Sequence, residues 1–224
     1  MIPIKVTQPS YSRPVVTVLL IAANLMVFLH EVWLDPYSFN HFMQLYSLRP
    51  AYFHIENLFT HMFLHAGWLH VLGNMLFLWV FGESVEDILG HGKYLLFYLL
   101  CGLAAGLTQT LIDPGSRVPI VGASGAIAGV MGAYLVKFPR TQVKMLTWFI
   151  FIFTFDVPAW VMLIYWFGIQ LFGGYGSVGG ASQGASQGGT AFFAHIGGFV
   201  AGILLIHALG TRQRYWRRKD LSWK

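Results

Sequence analysis

Charged side chains are scarce in this chain of 224 residues: they make up 10% of it, against 56% hydrophobic. Soluble domains carry roughly a quarter of their residues charged, so the shortage excludes an ordinary water-soluble fold. With a mean hydropathy of +0.59, the solvent is expected to be a bilayer. Cysteine is nearly absent too. Cys101 stands alone inside an apolar run, which rules out an intramolecular disulfide, says nothing of redox compartment, and reads as a small core residue. Nor does the start of the chain read as a cleavable leader. The first apolar run, Pro14 to Trp33, has the strongly polar Asn24 at its middle and, at about twenty residues, is long enough to be expected as a retained span.

Apolar runs able to cross about 30 Å of hydrocarbon fall at 14–33, 67–87, 93–112, 120–137, 157–173 and 190–210. Six spans put both termini on one side. On that side lie Lys5, Arg13, Lys93, Lys137, Arg140, Lys144, Arg212, Arg214, Arg217, Arg218, Lys219 and Lys224, with only Arg49 and Arg117 opposite. Twelve against two places the termini in the cytoplasm. The expected fold is therefore an all-α integral membrane bundle of six transmembrane helices. It divides into a cytoplasmic segment 1–13, a helical domain 14–210 and a basic tail 211–224. That tail fits anionic lipid headgroups beside a last span better than nucleic acid, and the net charge of +5 calls for no other partner.

The connections are uneven. Leu34 to Ala66 is too polar to span and too apolar for a free loop, so it is expected to hold an amphipathic element in the interface. Met145 to Phe172 is too long for one crossing; Asp156 with Pro158 reads as a helix start, which puts span five from there on. Gly173 to Gly189 reads as a flexible linker in which GASQ repeats at 180–183 and 184–187. It is either an idle connection or a flap over the opening between spans five and six.

Polar residues inside apolar helices carry the functional signal, because each one costs free energy in hydrocarbon. His70 and Asn74 are one turn apart and share a helix face. Ser124 lies in Gly122-Ala123-Ser124-Gly125 at the start of span four, and His195 follows Ala194 near the start of span six. Spans two, four and six all run from outside to inside, which brings the four side chains to similar depth. Taken singly, Ser124 reads as a helix cap, His195 as a helix-to-helix hydrogen bond and Asn74 as interhelical glue. Together they form a chemical set. A serine hydroxyl needs a base, which a neutral histidine supplies, and a tetrahedral intermediate needs donors, which Asn74, His70 and the Ser124 amide supply. Small residues permit the close approach: Gly125, Gly129 and Gly132 in span four, and Ala194, Gly198 and Gly202 in span six. His61 and His65 are spaced i, i+4, but no His-Glu-x-x-His is present, so they read as structural and no metal site is expected. Asp156 has no second intramembrane aspartate to form an aspartyl protease.

These motifs resemble the rhomboid family. Gly122-Ala123-Ser124-Gly125 matches its Gly-x-Ser-Gly, His70 to Asn74 its His-x-x-x-Asn, and Ala194 to Gly202 its Ala-His-x-x-Gly-x-x-x-Gly. The likeness extends to Thr60, His65, Gly82 and Glu86. It implies an intramembrane serine endopeptidase that needs no cofactor, with Ser124 as nucleophile, His195 as base, no aspartate, and an oxyanion hole of His70, Asn74 and the Ser124 amide. Gly122, Gly125, Gly198 and Gly202 support the motifs. The resemblance further implies a water-accessible cavity on the outer side, single-span membrane proteins as substrates, and span five as a substrate gate. Two departures stand out. Ala128 occupies the place where many members have an aromatic against the histidine, so another group must orient His195. Glu56 and Asn57 stand where some bacterial members have Trp-Arg. The alternative to a protease is a catalytically silent rhomboid-like protein that binds transmembrane segments; a small transporter lacks both an inverted repeat and a mid-span carboxylate. A bacterial inner membrane is the expected location.

Overall fold

Carboxylates at the end of one helix close the start of another. Helix α4 (Trp68–Leu89) ends near Glu86, whose Oε1 and Oε2 accept from the Val16 and Thr17 amides at 2.8 Å each, and Oε2 also accepts from the Thr17 hydroxyl at 2.7 Å. These are otherwise unpaired donors at the first turn of α1 (Val15–Trp33), where Pro14 offers no side-chain cap. Asp87 does the same one step earlier, accepting from the Tyr11 amide and from the amide and hydroxyl of Ser12. Gly90, at φ 83°, turns the chain directly into α5 (His91–Ile112).

The computed structural model describes residues 2–148, 152–178 and 191–211. Beyond α1, α4 and α5 the described residues form α6 (Ser124–Lys137), α7 (Ala159–Val178) and α8 (Phe192–Ala208), so a helix occupies each of the six apolar runs. Three of them, α1, α4 and α5, are long and apolar enough to cross a bilayer, and α6 and α8 are shorter apolar helices. The expected fourth run began at 120, but the helix begins only at Ser124. Ile120 instead pairs with Leu48 in an isolated antiparallel bridge, and the Gly122 amide donates to the His61 carbonyl at 2.9 Å. Both contacts draw on backbone groups of the outer connection and leave none for an earlier helical turn.

Helices α6 and α8 meet backbone to backbone. A side chain at Gly198 would strike the Gly125 carbonyl, one at Gly202 the Gly129 carbonyl, and one at Gly132 the Phe199 carbonyl. The small-residue stripes are thus the α6/α8 interface itself. Cys101 is fully buried in α5 beside Gly129, as a core residue.

The outer connection contains α2 (Pro36–Tyr46), started by Asp35 accepting from the Tyr37 and Ser38 amides, and the short α3 (Asn57–Thr60) between 3-10 turns. Asn57, one of the two departures, is buried and donates to the Ser47 carbonyl at 2.9 Å; its own carbonyl lies 2.8 Å from His61 Nδ1.

Three strands were not anticipated. β1 (Ile2–Val6), β2 (Gln142–Trp148) and β3 (Ile152–Pro158) form an antiparallel sheet in that order, with Val143 and Met145 facing the core. Asp156 accordingly does not begin a helix: it lies opposite Lys144 in β3 and pairs with its ammonium at 3.1 Å. Proline disfavours helix in the residue before it, so Val157 stays extended and α7 starts only after Pro158. Its first amides, of Ala159 and Trp160, donate to the Thr141 and Pro139 carbonyls. At its other end α7 continues to Val178, so the first part of the expected linker is helical. Gly173 and Gly174 there lie against the rings of Phe192 and Phe193. Both GASQ repeats and the basic tail from Arg212 lie outside the described residues.

Candidate active site

The four polar residues singled out in the helices come together at one end of the bundle. Ser124 is the first residue of α6, and its Oγ lies 2.8 Å from Nε2 of His195, in the first turn of α8. The glycine contacts between α6 and α8 set this distance, because the helices approach more closely than side chains would allow. Ala194, just before the histidine, donates its amide to Gln109 Oε1 of α5 at 3.2 Å.

Gly122 shapes the space beside the hydroxyl. Its φ of 117° is one that residues with a side chain rarely adopt. A Cβ there would stand 2.7 Å from His70 Nε2 and 3.3 Å from Asn74 Nδ2. The missing side chain thus lets the His70 ring and the Asn74 amide close on the Gly122 backbone, two residues from Ser124. His70 Nδ1 accepts from the Ala66 amide at 3.4 Å, which puts the ring hydrogen on Nε2, towards Gly122.

Asn74 is 8% exposed, and its Nδ2 donates to Nε2 of His65 at 3.0 Å. His65 can accept there because its Nδ1 donates to the Phe63 carbonyl at 3.3 Å. Burial, reinforced by His70 nearby, lowers the His65 pKa to about 4 and keeps the ring neutral. Burial also lowers His61 to about 4. His65 holds Asn74, and the His61 carbonyl holds Gly122. No group of three or more His, Cys, Asp or Glu side chains that could hold a metal ion occurs among the described residues.

The match to known proteins is broad. Residues 52–212 fit the model of the Rhomboid domain. The chain belongs to the rhomboid family. Membership makes it an integral membrane protein of a family that is a helical bundle and includes serine proteases. The rhomboid is 34% identical over 121 residues to Rhomboid-like protein 11, chloroplastic, of Arabidopsis thaliana, covering 51% of the chain and 43% of that protein. It is 41% identical over 78 residues to Rhomboid protease GluP of Bacillus subtilis, covering 35% and 15%. To RHOMBOID-like protein 1 of A. thaliana it is 35% identical over 162 residues, covering 72% and 36%. The chain spans less than half the length of each of these relatives.

Three residues of the rhomboid site escaped the sequence reading. Gln170 of α7 places Oε1 2.8 Å from Nδ1 of His195, and the Trp166 ring, one turn earlier, lies 5.7 Å from the imidazole between centroids. Gln170 is a polar residue within an apolar helix, the same signal that drew attention to His70, but no motif contains it. The third is Glu31, 3% exposed near the end of α1, whose carboxylate accepts from the His65 amide at 3.2 and 3.3 Å. With Asn24, Glu31 is a second strongly polar residue inside the first run.

Proposed function

We propose that this rhomboid is an intramembrane serine endopeptidase that cuts membrane proteins within or beside their transmembrane segments. The observation that carries the reading is the 2.8 Å approach of Ser124 Oγ to His195 Nε2, with His70 and Asn74 packed against Gly122 two residues away. Ser124 Oγ attacks the scissile carbonyl carbon while His195 Nε2 takes the hydroxyl proton. The carbonyl oxygen gains the negative charge, and His70 Nε2–H, Asn74 Nδ2–H and the Ser124 amide donate to it. Collapse breaks the peptide C–N bond, and His195 returns the proton to the departing amine. Water, activated by the same histidine, then hydrolyses the acyl-enzyme and frees Ser124.

All six helices of the 14–210 domain cross the membrane in this reading, with residues 1–13 and the tail in the cytoplasm. The Lys and Arg distribution supports that orientation. At 14 residues, α6 is about 21 Å long, short of the roughly 30 Å hydrocarbon core, so Ser124 starts below the outer surface. Water reaches it through a cavity open to that side. Substrates are single-span membrane proteins whose helices unwind near small residues. The membrane is a bacterial inner membrane, which the GluP likeness supports, while the chloroplast relative is named for another compartment.

The reading is tested with a fluorophosphonate, which phosphonylates an activated serine. The protein in lipid vesicles is expected to take one label, found on Ser124 by mass spectrometry and abolished by His195→Ala. An unlabelled Ser124 in folded protein contradicts the reading.

A further inference from the structure

The imidazole of His195 has two ring nitrogens, and the proposed reaction uses only one. Nε2 faces the Ser124 hydroxyl; Nδ1 faces Oε1 of Gln170, also at 2.8 Å. Gln170 reaches this position from α7 and is 6% exposed, so its amide must find partners inside the protein. The far side of that amide fixes its orientation. Its Nε2 donates to the Trp166 carbonyl, one turn back, at 3.4 Å. An amide nitrogen only donates and a carbonyl only accepts, so the oxygen is the end turned towards His195. An oxygen facing Nδ1 requires that Nδ1 carry the hydrogen. Nε2 is then left with its lone pair, on the side of Ser124, as a base requires.

We propose that Gln170 is a positioning residue for His195: its side-chain oxygen holds the imidazole as the Nδ1–H tautomer, with Nε2 ready to accept the Ser124 proton. The inference rests on the serine-protease reading and supplies the orienting group that Ala128 does not. Trp166 works with it, its ring tilted 39° to the imidazole and itself lying 6.1 Å from Phe199 of α8 between centroids. A neutral amide performs the orienting part of a triad carboxylate's work without a buried charge. It contributes less to the imidazolium that forms in the reaction, so its loss costs less than the roughly 10⁴-fold seen when a triad aspartate is changed to its amide. Because Gln170 belongs to α7 and His195 to α8, the base is held only while these helices remain in contact here.

The test uses the full chain in lipid vesicles with a single-span reporter substrate, comparing wild type, Gln170→Leu, Gln170→Glu and Ser124→Ala. Gln170→Leu is expected to lower kcat about 10- to 100-fold with KM changed less than about twofold, and Gln170→Glu, which retains an acceptor oxygen, to recover most of it. Nitrogen-15 NMR of labelled histidine supplies a second readout, with the His195 signal identified by its loss in His195→Ala. Wild type and Gln170→Glu are expected to carry the hydrogen on Nδ1, and Gln170→Leu to lose that preference. An unchanged tautomer in Gln170→Leu overturns the proposal, as does a loss of activity that Gln170→Glu fails to recover. If wild type cuts no better than Ser124→Ala, the protease reading fails instead, and the tautomer measurement still decides the role of Gln170.

Discussion

Asn74 Nδ2 stands 3.0 Å from Nε2 of His65, and the backbone of His65 is in turn tied to the buried Glu31 carboxylate. The amide proposed to steady an oxyanion is thus held from α1 through the outer connection. Removing the donor in Asn74→Ala is expected to lower kcat by about 10- to 1000-fold with little change in KM. His65→Phe keeps the bulk but removes the acceptor, and is expected to cost a smaller factor, about tenfold. Steady-state cleavage kinetics measure both, and equal kcat in Asn74→Ala and wild type refutes the role.

His61 and His65 make stability depend on pH. Their folded pKa values of about 4 lie below the ordinary 6.5. Between these values the unfolded chain binds more protons than the folded one, so stability is full above pH 6.5 and is lost as pH falls towards 4. Thermal unfolding in detergent is expected to show a Tm that falls through this window. His61→Asn and His65→Asn are expected to flatten the slope, whatever they do to the Tm at neutral pH.

The contact of α8 with α6 tolerates no side chain at Gly202, where a Cβ would meet the Gly129 backbone. Gly202→Val is expected to destabilise the fold by about 1–3 kcal/mol and to separate Ser124 from His195. Loss of fluorophosphonate labelling at temperatures where the protein remains folded distinguishes the displaced site from unfolding.

Glu86 caps α1 with a carboxylate that is fully buried. Glu86→Ala leaves the Val16 and Thr17 amides unpaired and is expected to cost at least about 2 kcal/mol. Hydrogen exchange is expected to speed up first at the start of α1. Exchange spread evenly over the bundle would argue against a local cap.

Much of this was legible in the sequence because a bilayer penalises exceptions. Apolar runs located six helices, and polar intruders in them located His70, Asn74, Ser124 and His195. Helix ends were less legible: α6 starts late because Ile120 and Gly122 are engaged by Leu48 and His61, partners more than 50 residues away that no local pattern reveals. The sheet was missed for a related reason. Trp148 to Phe155 is aromatic and β-branched, which suits a strand and an interfacial segment equally, and only the pairing of Gln142–Trp148 with Ile2–Val6 and Ile152–Pro158 decides between them. Asp156 looked like a helix cap until the opposing Lys144 was in view. Gln170 and Glu31 carried the right signal, polarity within an apolar run, yet their partners lie far along the chain, His195 in α8 and the His65 amide in the outer connection.

Cleavage of a single-span substrate in lipid by wild type and by Ser124→Ala is the most direct measurement of the account. Wild type is expected to yield two fragments cut within or beside the transmembrane segment, and Ser124→Ala none, although it remains folded and still binds the substrate. Equal cleavage by the two proteins, or binding without cleavage by wild type, would contradict the assignment of Ser124 as the nucleophile of an active protease.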